Sequence, residues 1–262
     1  MSSVSSVSSG FAMYPSLLGR VAFVSGGATG LGAEFVRHLS AQGVRVAFVD
    51  IDETAGRALA ASIVATGDTP PLFLPCDVTD IPSLVDRIEQ AARELGPIDI
   101  LVNNAAQDTR MSLDDIDLER WEHQHAVNIR HHFFAAKAVA PMMRASGGGS
   151  IINLGSISAH IDLVDLVPYI AAKAGVEGLT RTLARELGPD GIRVNCIIPG
   201  WVMTERQLRD WVTPEAEAAI ERNQCLPGKV TPPDVARLML WLAADDSRFC
   251  TAQNWVVDGG WM

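Results

Sequence analysis

The sequence predicts an α/β fold, a doubly wound seven-stranded parallel sheet with helices on both faces, and three observations predict it. Short apolar runs rich in β-branched residues alternate with longer amphipathic stretches along the chain, the pattern of fully buried strands joined by helical crossovers. A glycine-rich loop, Ser25-Gly26-Gly27-Ala28-Thr29-Gly30-Leu31-Gly32, links the first apolar run to the first helical stretch. An acid, Asp50, closes the second run.

The elements follow in order. Arg20–Ser25 reads as a buried strand, and Gly30 to about Gln42 as a helix stopped by Gly43. Val44–Val49 is the second strand. Helix Glu53–Ala65, strand Leu72–Leu74, helix Ile81–Leu95 and strand Ile98–Val102 come next. One long helix is predicted from Leu118 to Met143, broken by Gly147-Gly148-Gly149. Strand Ile151–Leu154 precedes a helix that carries Tyr169 and runs to about Leu187. Strand Ile192–Ile197, a long polar segment, helix Pro233–Ala243 and strand Trp255–Val257 complete the chain. Neither an internal repeat nor a linker composition divides it. Residues 15–262 are expected to form one domain, and the Ser-rich residues 1–14 a flexible tail.

Composition excludes several classes of function. At 262 residues and 48% hydrophobic, the chain has enough apolar material for a well-buried core. A net charge of −10 opposes phosphate backbones, and no basic run is present to dock on anionic lipid. The four cysteines, Cys76, Cys196, Cys225 and Cys250, lack metal-ligand spacing and read as free thiols in a reducing compartment. The N-terminal stretch has neither the basic nor the apolar region of a secretory signal. No uncharged apolar run approaches the roughly 20 residues that span a bilayer. A soluble, cytoplasmic protein is expected, with no metal site and no nucleic-acid or membrane partner.

In the glycine loop, a tight turn would let backbone N–H groups approach a pyrophosphate at the positive end of the following helix. Glycine patterns are common in turns. Here the loop follows a strand, opens a helix, and is followed by an acid at the end of the next strand. That is a Rossmann-type arrangement. Asp50 can accept hydrogen bonds from both ribose hydroxyls of NAD, and its charge would repel the 2′-phosphate of NADP. NAD is therefore the expected cofactor.

Tyr169 and Lys173 are four residues apart and share one helix face. A fixed cation beside a phenol favours the phenolate, so the pair could supply a general base. Ser156, just past a predicted strand, could hold a substrate oxygen in line with the Tyr. Taken alone, the spacing also suits an ordinary surface helix with a solvated Lys.

With these glycines, an Asn103-Asn104-Ala105 element and the Ser–Tyr–Lys set in this order, the chain resembles the short-chain dehydrogenase/reductase family from about Leu18 to its end. The resemblance implies that Gly26, Gly30, Leu31 and Gly32, with Ser25, form the phosphate loop. It places Asp77 and Val78 at the adenine, and Asn104 and Ala105 along the adenosine side. Pro199, Gly200, Val202 and Thr204 match the element that meets the nicotinamide carboxamide. Asn128, Ser156, Tyr169 and Lys173 match the catalytic set. Tyr169 would exchange the proton, Ser156 align the oxygen, Lys173 hold the ribose and lower the Tyr pKa, and Asn128 pass the proton to water. Two departures are visible: Ser25 stands where Thr is usual, and Ala106 where Gly is usual. The small residues Ala171, Ala172, Ala174, Gly175 and Gly178 on the Tyr169 helix resemble the family's subunit interface and imply a homotetramer.

The substrate-facing segments are polar. Gln107 and Arg110 follow the Asn-Asn-Ala element, Ser158 and His160 follow Ser156, and Arg206 follows Thr204. Converging hydrogen-bond groups suit a monosaccharide better than a lipid, although loop polarity alone could account for them. Asn153-Leu154-Gly155-Ser156-Ile157-Ser158, Leu183–Gly188, Gln224-Cys225-Leu226 and the ending Asp258-Gly259-Gly260-Trp261 resemble the aldose 1-dehydrogenases of the family. That implies oxidation of a sugar at C1 to the lactone. A 3-oxoacyl or secondary-alcohol reductase, and a dinucleotide-binding protein without catalysis, remain the alternatives.

Overall fold

The computed structural model describes residues 11–262. Its seven strands are β1 Val21–Ser25, β2 Arg45–Asp50, β3 Leu72–Pro75, β4 Ile100–Asn103, β5 Gly149–Leu154, β6 Ile192–Pro199 and β7 Asn254–Val257. They form one sheet in the order β3-β2-β1-β4-β5-β6-β7, with every neighbour parallel. The chain winds outward from β1 to β3, then crosses back to lay β4 on the other side of β1. Crossovers leave β1 and β4 in opposite directions there, so a crevice opens at the carboxyl ends of the strands.

The helices are α1 Gly30–Ala41, α2 Glu53–Thr66, α3 Ile81–Leu95, α4 Leu118–His125, α5 His131–Ala145, α6 Val167–Leu187, α7 Glu205–Asp210, α8 Pro214–Asn223 and α9 Pro232–Ala243. Both faces of the sheet are covered, which is why β1 and β4 are apolar without alternation and buried throughout. Phe35, Val36 and Leu39 of α1 join Val235 and Met239 of α9 on one face. Leu84 and Ile88 of α3, Val139 and Met143 of α5, and Leu183 of α6 fill the other. Each such side chain contributes roughly 1.5–3 kcal/mol on burial, so the layers fix the strand ends against which the site is built.

Two predicted elements differ. The helix expected over Leu118–Met143 is interrupted by a π-turn at Ala126–Arg130 between α4 and α5. One inserted residue rotates Asn128 out of the regular helical progression and towards the loop after β4. The polar segment after β6 contains two helices, α7 and α8. Each starts with a Thr cap: Thr204 Oγ1 accepts from the Gln207 N–H and Thr213 Oγ1 from the Ala216 N–H.

Of the tail expected over residues 1–14, the first ten lie outside the described residues. Its end is anchored on Gln42, whose Oε1 accepts from the Tyr14 N–H (2.8 Å) and whose Nε2 donates to the Ala12 carbonyl (3.1 Å). Among the described residues, no helix is long and apolar enough to cross a membrane.

Candidate active site

A groove of about 850 Å³ runs along the carboxyl edge of the sheet from Asp50, past the glycine loop, to Tyr169. The loop folds closely on itself. Gly26 has φ +63°, and a Cβ there would lie 2.7 Å from the Ala105 Cα. A Cβ on Gly32 would lie 1.8 Å from the Gly26 carbonyl oxygen, so no larger residue fits. The first turn of α1 has no acidic side chain, and Thr29 makes no capping bond. Its N–H groups and positive dipole end therefore stay available at Gly30, Leu31 and Gly32, all on the groove wall.

Asp50 is held by the backbone. Its Oδ2 accepts from the Ala28 N–H (2.9 Å) and its Oδ1 from the Asp52 N–H (3.0 Å), which leaves further lone pairs for a diol. Asp77 and Val78 stand beside it on the wall, with Asp77 Oδ1 accepting from the N–H and hydroxyl of Thr79 (both 2.8 Å). A glycine cradle at an uncapped helix start, a diol acceptor and an apolar shelf fit a dinucleotide.

Ser25 has a different task from the one expected. Its Oγ accepts from the N–H groups of Asn104 (3.0 Å) and Ala105 (3.1 Å), so the hydroxyl ties β1 to the loop after β4 and does not reach the groove. The Asn104 amide does the same by donating to the carbonyls of Ser25 (3.0 Å) and Gly26 (2.8 Å). Asn104 and Ala105 still line the groove. Ala106 needs no positive φ, so its Cβ costs the backbone nothing.

Ser156, Tyr169 and Lys173 come together at the other end of the groove. Ser156 Oγ accepts from the Ser158 N–H (3.1 Å) and the Ser158 hydroxyl (2.8 Å). Its own proton is therefore free to donate. Lys173 is buried, and its Nζ donates to the Leu154 carbonyl at 2.7 Å. Tyr169 is half-buried and lines the groove. Burial, with the Asp108 charge adding to it, pushes the phenol up to about 12; the Ser156 hydrogen bond and the Arg206 charge oppose that rise. Burial also pushes Lys173 down to about 8. The expectation that Lys173 by itself draws the phenol towards neutrality is not met here. Its Nζ lies 5.7 Å from the ring centroid, and the cost of desolvating a phenolate outweighs that cation.

Asn128 is buried beneath these groups. Its Nδ2 donates to the carbonyls of Gln107 (3.0 Å) and Gln124 (2.9 Å), and its Oδ1 accepts from the Gln107 N–H (2.9 Å).

The residues expected around the substrate divide. Gln107, Arg110, Ser158 and Arg206 line the groove; His160 does not. The His160 ring is turned away to Glu177 of α6, Nε2 to Oε1 at 2.6 Å, because a buried carboxylate needs a donor. Gln107 Oε1 accepts from Gln124 Nε2 at 3.2 Å. Arg110 stacks its guanidinium 4.5 Å from the Trp211 ring centroid. Arg206 pairs with Asp108 across the groove. Pro199, Gly200, Val202 and Thr204 form the wall at the end of β6. Asp108, Trp201, Gln207 and Trp261 also line the groove and were not singled out as contacts in the sequence. Asp108 follows Gln107 directly, and Trp201 and Gln207 flank the Thr204 element, so proximity to the motifs was the available signal.

The fold and this constellation define a dinucleotide-dependent dehydrogenase of the α/β class, and comparison with known proteins agrees. A family model described as Enoyl-(Acyl carrier protein) reductase matches residues 26–262. The chain is 46% identical to a D-xylose 1-dehydrogenase of Caulobacter vibrioides, over 95% of this chain and 98% of that protein. It is 42% identical to the probable galactose dehydrogenase GalD of Rhizobium meliloti, over 94% and 96%. A 7α-hydroxysteroid dehydrogenase solved with NADH and 7-oxo glycochenodeoxycholic acid superposes with a TM-score of 0.90 at 28% identity, over 95% and 96%. The chain belongs to the short-chain dehydrogenase/reductase family and is an oxidoreductase acting on a CH–OH group.

Proposed function

We propose that the protein oxidises the anomeric C1 hydroxyl of a cyclic aldose to the lactone, with NAD as hydride acceptor and Tyr169 as general base. The observation that carries the sugar assignment is the 46% identity to a D-xylose 1-dehydrogenase across 95% of the chain. The polar wall of Gln107, Asp108, Ser158, Arg206 and Gln207 around Ser156 and Tyr169 supports it.

Bound NAD would supply the hydride acceptor and, in its oxidised ring, a positive charge. The chain's own groups manage the proton. Ser156, with its oxygen already accepting from Ser158, donates to the C1 oxygen and orients it. Tyr169 takes the hydroxyl proton. Its phenol, pushed up to about 12 by burial, needs added positive charge to act as a base near neutrality. Lys173 is the fixed cation on the same helix face, and Asn128 keeps the loop after β4 over the reacting atoms. Gly26, Gly30, Leu31 and Gly32 would take the pyrophosphate, Asp50 the ribose diol, and Asp77 and Val78 the adenine.

Preference for NAD over NADP follows from charge. Asp50, Asp52 and Asp77 share that end of the wall, whereas its arginines, Arg110, Arg206 and Arg209, belong to the segments after β4 and β6. A 2′-phosphate would meet carboxylates without a compensating cation. Exposed Ala171 and Ala174 of α6 and half-exposed Phe133 of α5 support assembly through that face, as a homotetramer. Initial rates of NADH formation with D-xylose, L-arabinose, D-galactose, D-glucose and L-fucose test the reading. Turnover of at least one aldose with lactone formation is expected. Activity confined to an apolar secondary alcohol or a 3-oxoacyl thioester would replace it with the reductase reading.

A further inference from the structure

Asp108 stands where three parts of the site meet. It lies in the loop after β4, next to the residue that Asn128 holds, and its carboxylate crosses the groove to α7. One oxygen pairs with the guanidinium of Arg206; the other accepts from Gln207 Nε2 at 2.9 Å. Gln207 Oε1 accepts in turn from Trp201 Nε1 at 2.9 Å. Arg110, two residues beyond Asp108, stacks on Trp211 just past α7. A helix of six residues is marginal by itself, so these contacts across the groove set where α7 sits.

The same two charges act on the catalytic end. Asp108 raises the pKa of Tyr169 and Arg206 lowers it. Other charged or titratable groups at that end are Lys173 on the tyrosine's own helix, Arg110 and His123 on the β4 side, and Glu205 and Arg209 on α7. Asp108 and Arg206 face each other between these elements with opposite effects on the phenol, the carboxylate's being the larger.

We propose that Asp108 is a positioning residue of this active site: paired with Arg206 and Gln207, it closes α7 over the bound sugar and, with Arg206 opposing it, sets the charge that Tyr169 faces. The closure half rests on the sugar-dehydrogenase reading; the charge half does not.

The charge half makes a prediction of opposite signs. Asp108→Asn leaves Arg206 unbalanced and moves the ionisation of Tyr169 to lower pH. Arg206→Gln leaves Asp108 unopposed and moves it to higher pH, and the double variant falls between the two single variants. The chain has two tyrosines, Tyr14 and Tyr169, so ζ-carbon-labelled tyrosine gives two NMR resonances that Tyr14→Phe assigns. Opposite displacements of the Tyr169 titration onset in the two single variants are expected; shifts of the same sign, or none, overturn the charge half.

For the closure half, Asp108→Asn and Arg206→Gln should each raise the sugar KM about tenfold, the effect of losing one charge-assisted contact. The cofactor dissociation constant, read by NADH fluorescence, should stay constant, and Asp108→Glu should recover most of the KM. An unchanged sugar KM in Asp108→Asn overturns closure. If the wild type turns over no sugar, the substrate reading and closure over a sugar fall together, while the tyrosine titration still decides the charge balance.

Discussion

Asn128 is paired with both backbone polar groups of Gln107: its Nδ2 donates to the carbonyl at 3.0 Å and its Oδ1 accepts from the N–H at 2.9 Å. An amide that grips a loop like a neighbouring strand explains why the helix before α5 makes a π-turn at this point. The distortion places Asn128 under the loop, and the loop in turn carries Gln107, Asp108 and Arg110 into the groove.

Replacing Asn128 by Ala should therefore release the loop. Two part-buried backbone groups of Gln107 lose their partner, at a cost of up to about 1–3 kcal/mol each where water does not reach them. A lower urea midpoint with unchanged slope, together with a reduced kcat, is the expected outcome. Wild-type stability in that variant would show that the loop is held by something else.

Tyr169→Phe should lower kcat by about 10²–10⁴-fold, the usual range for loss of a general base, while NADH affinity hardly changes. In the wild type, sugar oxidation should rise with pH, because only the phenolate form of Tyr169 takes the proton; burial raises that phenol, and the positive charge of the oxidised nicotinamide would oppose the rise. A Phe variant keeping more than about a tenth of wild-type turnover contradicts the role given to Tyr169.

Much of this site was legible in the sequence because its signals are local. The glycine cradle, the acid ending β2 and the four-residue Tyr–Lys spacing each lie within one loop, strand end or helix turn. Partnerships across the fold were not legible. Arg206 meets Asp108 across 98 residues, and His160 meets Glu177 across 17, so tertiary packing decides where those side chains point. The π-turn differs from an ordinary helix by one residue and leaves the apolar periodicity nearly intact. The helices α7 and α8 are short and polar, so no apolar periodicity marked them.

Asp50 should make NAD the preferred cofactor, and Asp50→Ala should shrink that preference. A ratio of kcat/KM for NAD over NADP of at least about tenfold in the wild type, falling several-fold in the variant, is expected from one unfavourable charge contact. Equal use of the two cofactors by the wild type would refute it.

Acid lability should follow from His131, which is buried, has its Nε2 3.0 Å from the Ala105 carbonyl, and is pushed down to about 3 by burial. An unfolded histidine takes up its proton near 6.5 and the folded one does not, so stability is lost as pH falls from 6.5 towards 3. His132, also buried and held well below its ordinary value, adds to the slope. Each histidine contributes up to about 1.4 kcal/mol per pH unit in that window. Urea unfolding of the wild type and of His131→Gln at several pH values measures it, and equal slopes in the two proteins would contradict the assignment.

The measurement that tests the central claim most directly follows deuterium from the anomeric carbon. Aldoses deuterated at C1 are oxidised with NAD, and the reduced cofactor and the sugar product are analysed by mass spectrometry. Deuterium in the reduced nicotinamide, a lactone as the sugar product and slower turnover than with the protiated sugar are the predicted result. Reduced cofactor without deuterium, or a product that retains it at C1, would show that the hydride comes from elsewhere and would contradict the proposed reaction.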